Sequence, residues 1–259
     1  MRTIVKFMNH SRRAAFFSQD GIAGINACAL MLLTLATQSA QAAQTERLPI
    51  GQPTAFWIDS TEVTIGQFDE FAQQNNLQTA AERDGGGYEY RFGWQQRPGW
   101  NFRTPYGKRA TEAEPAVHVS WFEAEQYCNA KGGRLPTRDE WSKAAYEETR
   151  GEPDTPFQTG KRYEFPTGDT GDGANTVGDD DGWAEHAPVA SFAPGVNGLH
   201  DMGANVWEWL ADARGEDRLT AGGSWWYGPG KMAASGMQYK PANFYAVYVG
   251  FRCVYDKAN

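Results

Sequence analysis

The chain is 259 residues long and carries 24 Lys and Arg residues against 32 Asp and Glu residues, a formal net charge of −8 at pH 7. With 41% hydrophobic and 22% charged residues, the composition excludes a disordered chain and a multispanning membrane protein. The acidic balance argues against nucleic acid as a partner, because surfaces that bind phosphate backbones usually carry clustered basic residues.

Residues 1–42 have the features of a secretory signal peptide. Basic residues precede an apolar stretch over 21–36, and a small-residue Ala-Gln-Ala sequence ends at Ala42. We therefore predict cleavage after Ala42, a mature domain over 43–259 and a periplasmic location. The pair Arg12-Arg13 leaves two export routes open, a twin-arginine signal and an ordinary signal with two adjacent arginines. No stable membrane anchor is expected, because the apolar stretch is short and contains an Asn.

Two cysteines remain in the predicted mature chain, Cys128 and Cys253. In an oxidising compartment, an even pair far apart in sequence indicates a disulfide. Such a bridge closes a loop of about 125 residues and stabilises the fold by roughly 4–5 kcal/mol in the chain-entropy model. Two reduced thiols with a catalytic or metal-binding role are the alternative that the residues leave open.

Local patterns in the first two thirds of the chain predict few regular elements. Residues 55–59 are predicted to form a strand, and Thr64 is predicted to cap a short helix with one apolar face. Two capping boxes, which begin at Ser120 and Thr137, predict two further helices. Residues 83–115 are rich in Gly, Pro and aromatic residues and are predicted to form an ordered loop.

The rest of the chain has little periodicity. Residues 151–200 are rich in Gly, Asp and Pro, and apolar and aromatic clusters follow them. Neither an internal repeat nor a linker divides the chain. Together with the ten Trp and 29 Gly residues, these patterns predict one compact α+β domain with much irregular backbone, held together by large aromatic side chains.

Six short segments resemble, in order, motifs of the formylglycine-generating enzyme family, also called the sulfatase-modifying-factor fold. They are Val117–Trp121, Gly133–Thr137 with Glu140-Trp141, Asn197–Leu199, Asn205–Trp209, Gly222–Trp225 and Gly250–Cys253. The resemblance implies a compact α+β domain related to the C-type lectins and often stabilised by calcium. It also implies the disulfide between Cys128 and Cys253, because secreted members of the family bridge a helix to the C-terminal strand at these positions.

The resemblance implies two structural calcium sites. Calcium takes about six to eight oxygen ligands, which irregular loops supply from carboxylates and backbone carbonyls. The alternative for these residues is a solvated acidic loop. The first site would use the side chains of Asn175 and Asp181 and the carbonyls of Thr176 and Trp183. The second would use the side chains of Asp201 and Glu208 and the carbonyls of Ala204 and Val206.

The redox metals of the family are not expected here. The formylglycine-generating enzymes bind copper through two cysteines after the Gly-Gly-Ser motif, and the matching positions are Tyr227 and Met232. Copper(I) selects thiolate ligands, so formylglycine production by that route is not expected. A second branch, the sulfoxide synthases of ergothioneine biosynthesis, uses three histidines on iron. The spacing of His118, His186 and His200 does not support such a centre.

The chain is more similar to a third branch, exported proteins that act in pyoverdine siderophore maturation and oxidise the dihydro form of a catechol-containing chromophore. A flat phenolic chromophore would suit an aromatic groove through stacking and cation–π contacts. The candidate catalytic residues are Tyr227, Trp226 and Tyr239, and the candidate substrate-binding residues are Trp225, Trp226 and Ser224. Candidates for the base are Tyr227, Tyr239 and Glu208, and the electron acceptor is left open, with oxygen as one possibility.

We therefore expect a periplasmic protein for oxidative maturation of a siderophore chromophore, with a siderophore peptide precursor or another periplasmic peptide or protein as its partner. Two alternatives remain at this stage. One is a non-catalytic binding or maturation factor of the same fold, for example one associated with nitrite reductase. The other is a true formylglycine-generating cysteine oxidase, which requires thiol-bound copper.

Overall fold

In the computed structural model, residues 45–178 and 180–258 are described. The predicted signal peptide over 1–42 lies outside the described residues. No helix of the described part is both long and apolar enough to cross a bilayer.

Four helices and nine strands form the regular part of the described chain. The helices are α1 (Ile65–Gln74), α2 (Ala80–Arg83), α3 (Trp121–Ala130) and α4 (Arg138–Tyr146). The strands are β1 (Arg47–Ile50), β2 (Phe56–Asp59), β3 (Gly86–Tyr90), β4 (Trp94–Pro98), β5 (Trp207–Arg214), β6 (Asp217–Ala221), β7 (Gln238–Pro241), β8 (Val249–Gly250) and β9 (Val254–Tyr255).

The strands of the described chain form three small sheets. One has the order β1-β2-β9, the second is the β3–β4 hairpin, and the third has the order β7-β6-β5-β8. Pairing is antiparallel throughout except for β5 and β8, which run parallel. Long irregular segments connect these elements, in agreement with the predicted α+β class.

The predicted helix starts are confirmed. Helix α1 follows Thr64, whose backbone N–H donates to the Gln67 side chain at 3.0 Å. Helix α3 follows Ser120 and helix α4 follows Thr137, and in each box the backbone N–H of the cap donates to the glutamate three residues later. These reciprocal bonds satisfy backbone donors that a helix N-terminus otherwise leaves without partners.

The prediction of an ordered loop over 83–115 is wrong for its first part. Strands β3 and β4 pair in register from Gly86 opposite Pro98 to Tyr90 opposite Trp94. The turn between them places Phe92 at φ 51° and Gly93 at φ 133°. Almost every residue of β4 is exposed, so this strand lacks the alternation of buried and exposed positions that identifies a strand in a sequence.

The predicted disulfide is confirmed. Cys128 on α3 is bonded to Cys253, one residue before β9, with 5.5 Å between the two Cα atoms and 125 positions between them in sequence. Both residues are fully buried. The bond therefore joins a helix from the middle of the chain to its C-terminal strand.

A buried ion pair links β5 to the same C-terminal segment. The Arg252 guanidinium donates to the Glu208 carboxylate through Nε at 2.9 Å and through Nη2 at 2.7 Å, and both side chains are buried. Arg252 also donates to the carbonyls of Asp59 and His200, at 3.1 and 2.8 Å. Trp141 donates its indole N–H to Glu208 at 2.7 Å. The pair and its hydrogen bonds therefore cross-link five segments of the chain.

Replacing both Cys128 and Cys253 by Ala is expected to lower the free energy of unfolding by about 2–5 kcal/mol, because the unfolded chain regains the freedom that the closed loop removes. Urea unfolding of the oxidised wild type and of the variant measures the difference. Equal unfolding midpoints would contradict a stabilising role for this bond.

Replacing Arg252 by Met is expected to cost about 3–5 kcal/mol, because it leaves the Glu208 carboxylate buried without a counter-ion. The double variant with Glu208→Gln should cost less than the single one. The matched control is Arg162→Met, which removes a solvent-exposed pair with Glu147 and should cost less than about 1 kcal/mol. If Arg252→Met and Arg162→Met lowered the free energy of unfolding equally, the buried pair would contribute no more to stability than an exposed one.

Candidate functional site

An aromatic cleft lies where β7 and the hairpin β3–β4 meet the segment before β8. Its volume is about 400 Å³. The hairpin is held to that segment because the Val247 N–H donates to the Tyr88 carbonyl at 2.9 Å. The residues that line the cleft are Tyr88, Trp94, Tyr227, Gln238, Tyr239, Lys240, Pro241, Phe244 and Tyr248. We call this group the aromatic cleft.

Several rings of the aromatic cleft pack against each other, edge to face or tilted. Trp94 lies 4.9 Å from Phe244 and 6.0 Å from Tyr248 between ring centroids. Tyr227 lies 5.6 Å from Trp207 and 6.5 Å from Tyr248. Trp94 is 51% exposed, so part of its ring surface remains open. A preformed wall of this kind suits a flat aromatic ligand, since stacking requires little rearrangement.

Lys240 supplies the basic group of the aromatic cleft. Its Nζ donates to the Thr220 hydroxyl at 2.7 Å, lies 3.4 Å from Gln238 Oε1 and sits 4.1 Å from the ring centroid of Trp207. No carboxylate of the described residues lies within ion-pair distance of it. Burial, with a smaller contribution from the positive charge of Lys231, lowers the pKa of Lys240 to about 7. The amine is therefore mainly neutral above pH 7.

The structure brings only part of the predicted aromatic set together. Tyr227 and Tyr239 both line the aromatic cleft. Trp225 is 9% exposed and packs against Trp226 and Tyr106, at 5.3 and 6.3 Å between ring centroids. Trp226 is 37% exposed, and neither Trp225 nor Trp226 is among the lining residues of the cleft.

Ser224 also stands apart from the cleft. The Ser224 side chain is buried, and its hydroxyl has no hydrogen-bond partner in the described part of the chain. A substrate-binding role for Ser224 remains a prediction.

Sequence reasoning did not select Lys240 or the hairpin residues Tyr88 and Trp94. The available signal was a single basic residue within the aromatic segment 237–241. Trp94 precedes Lys240 by more than 140 positions in the chain. Nothing in the local sequence indicates that the hairpin completes the same cleft. This contact is a product of tertiary structure.

The two positions that match the copper cysteines of the family lie in different surroundings. Tyr227 lines the aromatic cleft, whereas Met232 is fully buried in a small cluster with Ala174 and Ala204. Cys128 and Cys253 are bonded to each other. Tyr227 and Met232 therefore offer no thiolate to a copper ion. That copper does not act in this protein remains a prediction.

Each of the three histidines in the described part of the chain has its own partners. His118 contacts the Pro105 carbonyl at 3.0 Å, and His200 contacts the Phe192 carbonyl at 3.0 Å. His186 contacts Glu114 at 2.9 Å and the Tyr106 hydroxyl at 3.1 Å. The described residues contain no group of three or more His, Cys, Asp or Glu placed to hold a metal ion.

The first predicted calcium site contains an unpartnered oxygen. The buried Asn175 amide donates to the Glu185 carbonyl at 2.9 Å and to Asn205 at 3.0 Å, and its Oδ1 has no partner in the described part of the chain. Asp181 accepts the backbone N–H groups of Thr176 and Trp183 at 3.0 and 2.9 Å. A buried amide oxygen near a carboxylate and loop carbonyls fits the ligand preference of calcium.

The second predicted site fits less well as the residues stand. Each oxygen of the Glu208 carboxylate already accepts two hydrogen bonds, from Arg252 and, at Oε2, also from Trp141. Asp201 accepts the Ala190 N–H at 2.7 Å, and burial raises its pKa. Calcium at Asp201, Glu208 and the carbonyls of Ala204 and Val206 would have to compete with Arg252. The second site remains a prediction that the arrangement of Glu208 does not favour.

Calcium is expected to stabilise the wild-type protein by about 2.7 kcal/mol when its concentration is 100-fold above the dissociation constant. Asn175→Ala should abolish this increment, whatever its effect on stability without calcium. The matched control is Asp180→Asn, an exposed carboxylate in the same loop, which should keep most of the increment. Thermal unfolding of chelator-treated protein with and without added calcium measures it. If calcium stabilised Asn175→Ala as much as wild type, Asn175 would not be a calcium ligand.

Comparison with known proteins places the chain among relatives of this fold. The chain is 33% identical over 198 residues to the inactive C-alpha-formylglycine-generating enzyme 2 of Mus musculus, covering 66% of this chain and 63% of that protein. It is 27% identical to the formylglycine-generating enzyme of Mus musculus, covering 87% and 73%. It is 27% identical to hercynine oxygenase of Mycobacterium tuberculosis, covering 78% of this chain and 53% of the oxygenase. The chain thus spans less than two thirds of the first and third of these relatives.

A solved structure supports the fold. PvdO from Pseudomonas aeruginosa superposes with a TM-score of 0.57 at 19% identity, over 82% of this chain and 91% of that one. The family model described as the sulfatase-modifying factor enzyme 1-like domain matches residues 33–257. That match spans the disulfide, the buried ion pair and every wall of the aromatic cleft, and this chain therefore belongs to the sulfatase-modifying factor family.

Proposed function

We propose that this protein acts after export to the periplasm and oxidises the dihydro form of a catechol-containing siderophore chromophore, of the kind found in pyoverdine. The observation that carries the proposal is the aromatic cleft, which six aromatic residues line together with a lysine that has no carboxylate partner in the described chain. The fold shared with PvdO and the relatives named as oxygenases or formylglycine-generating enzymes support an oxidative role.

The aromatic cleft suits such a chromophore in shape and polarity. A fused, flat phenolic ring can stack on the open part of Trp94, and the tyrosines Tyr227 and Tyr239 that line the cleft can offer hydroxyls to its polar edge. The cleft is large enough for a drug-sized ring system. The siderophore peptide that carries the chromophore would extend from the open side.

The proposed reaction is a two-electron oxidation. The dihydro ring loses two hydrogen atoms, as two protons and two electrons, and a new double bond forms in the ring. Dioxygen is the proposed acceptor and takes both electrons and both protons to become hydrogen peroxide. The cleft would contribute binding, orientation and a proton acceptor, since preorganised positioning alone lowers a barrier substantially.

A non-catalytic maturation or binding factor is the second candidate. Tyr227 and Met232 stand where the copper cysteines of the formylglycine-generating enzymes are found, and one of the relatives is named as inactive. Under this hypothesis the aromatic cleft binds a peptide or chromophore without oxidising it. A formylglycine-generating activity is disfavoured, because both mature cysteines lie in the disulfide.

The protein, expressed from its full coding sequence and purified after export, is expected to accelerate conversion of the dihydro-chromophore to the fluorescent product in air. Visible absorption and fluorescence follow the product, and hydrogen peroxide should form in equal amount. Trp94→Ala should weaken substrate binding roughly tenfold, about 1.4 kcal/mol, because it removes one stacking face. Tyr227→Phe and Trp226→Ala test the residues predicted from the sequence.

The matched control is Phe122→Ala, which removes an exposed ring on α3 that does not line the cleft and should leave conversion unchanged. Conversion no faster than in buffer alone, with substrate binding that depends on Trp94, would favour the binding factor. Conversion that is equally fast in Trp94→Ala and Phe122→Ala would exclude the aromatic cleft as the site.

A further inference from the structure

The hydrogen bonds around Lys240 account for two N–H groups and not for a third. Thr220 donates its own hydroxyl hydrogen to the Gln238 carbonyl at 2.9 Å, so towards Lys240 it can only accept. Gln238 Oε1, an acceptor in the amide group, lies 3.4 Å from Nζ. No other acceptor contacts Nζ in the described part of the chain. A neutral amine has two N–H groups and one lone pair, and this set of contacts matches it.

The groups that face Lys240 do not supply a competing base. The other titratable residues that line the cleft are Tyr88, Tyr227, Tyr239 and Tyr248. Burial raises the pKa of both Tyr227 and Tyr248, so these two stay protonated at neutral pH.

The charged group that acts on the pKa of Lys240 is cationic. Lys231 lowers the pKa of Lys240 by its like charge. Arg218, opposite Lys240 on β6, lies 4.4 Å from the ring of Trp121, and Arg214 lies 4.1 Å from the ring of Tyr239. Like charges destabilise the protonated amine and therefore favour its neutral form in the empty cleft.

Two contacts would favour the protonated form of Lys240 once an acid is bound: the ring face of Trp207 and the ligand anion. Its Nζ lies 4.1 Å from the ring centroid of Trp207, a distance at which the ring face attracts a cation. A phenolate in the cleft would give it the counter-ion that the protein does not provide. Protonation of Lys240 would therefore be coupled to ionisation of a phenolic ligand.

We propose that Lys240 is the proton acceptor of the aromatic cleft and that the cleft binds phenols as phenolates. The ligand O–H bond breaks, an N–H bond forms at Nζ, and the electron pair of the O–H bond remains on the phenolate oxygen. This proposal rests on the proposed function, because a phenolate gives up electrons to dioxygen more readily than the neutral phenol does. It also identifies the substrate class as a phenol with a free hydroxyl at the edge of a flat ring.

Binding of 2-naphthol tests the step without any oxidation. This flat phenol is neutral in solution at pH 8, and its naphtholate form absorbs at longer wavelength than the neutral form. Wild-type protein is expected to bind it as naphtholate, because the neutral amine of Lys240 can accept the proton and the resulting ammonium and naphtholate stabilise each other as an ion pair in the cleft. Lys240→Met should bind it only in the neutral form, and the control Lys108→Met, an exposed lysine outside the cleft, should behave as wild type.

Calorimetry in two buffers of different ionisation enthalpy counts the protons released on binding at pH 8. Wild type should release none, since the proton moves from ligand to Lys240. Lys240→Arg, whose guanidinium is always charged, should release about one proton per naphtholate bound. Near-ultraviolet circular dichroism confirms that each variant is folded, and the Arg variant supplies the comparison if the Met variant is not.

Removal of the charge at Lys231 gives an independent shift. Lys231→Ala is expected to raise the pKa of Lys240, because it removes a like charge. In the free protein, Lys240 would then stay protonated up to a higher pH. Four results would each overturn the proposal. They are neutral naphthol bound to wild type, naphtholate bound to Lys240→Met, proton release when wild type binds, and no binding at all. Chromophore oxidation that persists in Lys240→Met would overturn the role of Lys240 and leave the proposed function standing. Ionisation of bound naphthol without any chromophore oxidation would overturn the proposed function and leave the role of Lys240 standing.

Discussion

The bond network of Arg252 is the interaction on which the rest of the domain depends. This one guanidinium, fully buried, joins Glu208 on β5, the end of β2 at Asp59 and the loop carbonyl of His200. A domain with short strands and long irregular segments cannot rely on extended ladders of backbone hydrogen bonds. It needs polar cross-links in its interior, and a fully satisfied charge pair supplies several directions of contact at once.

The disulfide and the ion pair involve neighbouring residues, and both cross-link the interior of the domain. Cys253 follows Arg252 directly, so the same short stretch is tied to α3 by a covalent bond and to β5 by charge. The parallel pairing of β5 with β8 ties the segment before β8 to the edge of the four-stranded sheet. Phe244 and Tyr248 in that segment form part of the aromatic cleft, which links the stability of the core to the shape of the site.

The helices were predictable because their signals are local. Ser120 and Thr137 are each followed three residues later by a glutamate, and that spacing alone satisfies the first backbone donors of a helix. The hairpin was not predictable, since β4 is nearly all exposed and carries no alternation. Lys240 was not among the residues selected from the sequence for a related reason. The properties of Lys240 come from Trp207, Thr220 and Lys231, which belong to other segments of the chain.

The sequence by itself determined the fold class, the helix starts, the pairing expected for Cys128 and Cys253, and the family through six ordered motifs. These depend on residue type and short spacing, which a sequence states directly. Tertiary structure decided which aromatic residues meet: it placed Trp225 in the core and joined Tyr227 and Tyr239 to Tyr88 and Trp94. It also decided the acidity of Lys240, because desolvation and the distance between charges exist only after distant segments have packed together.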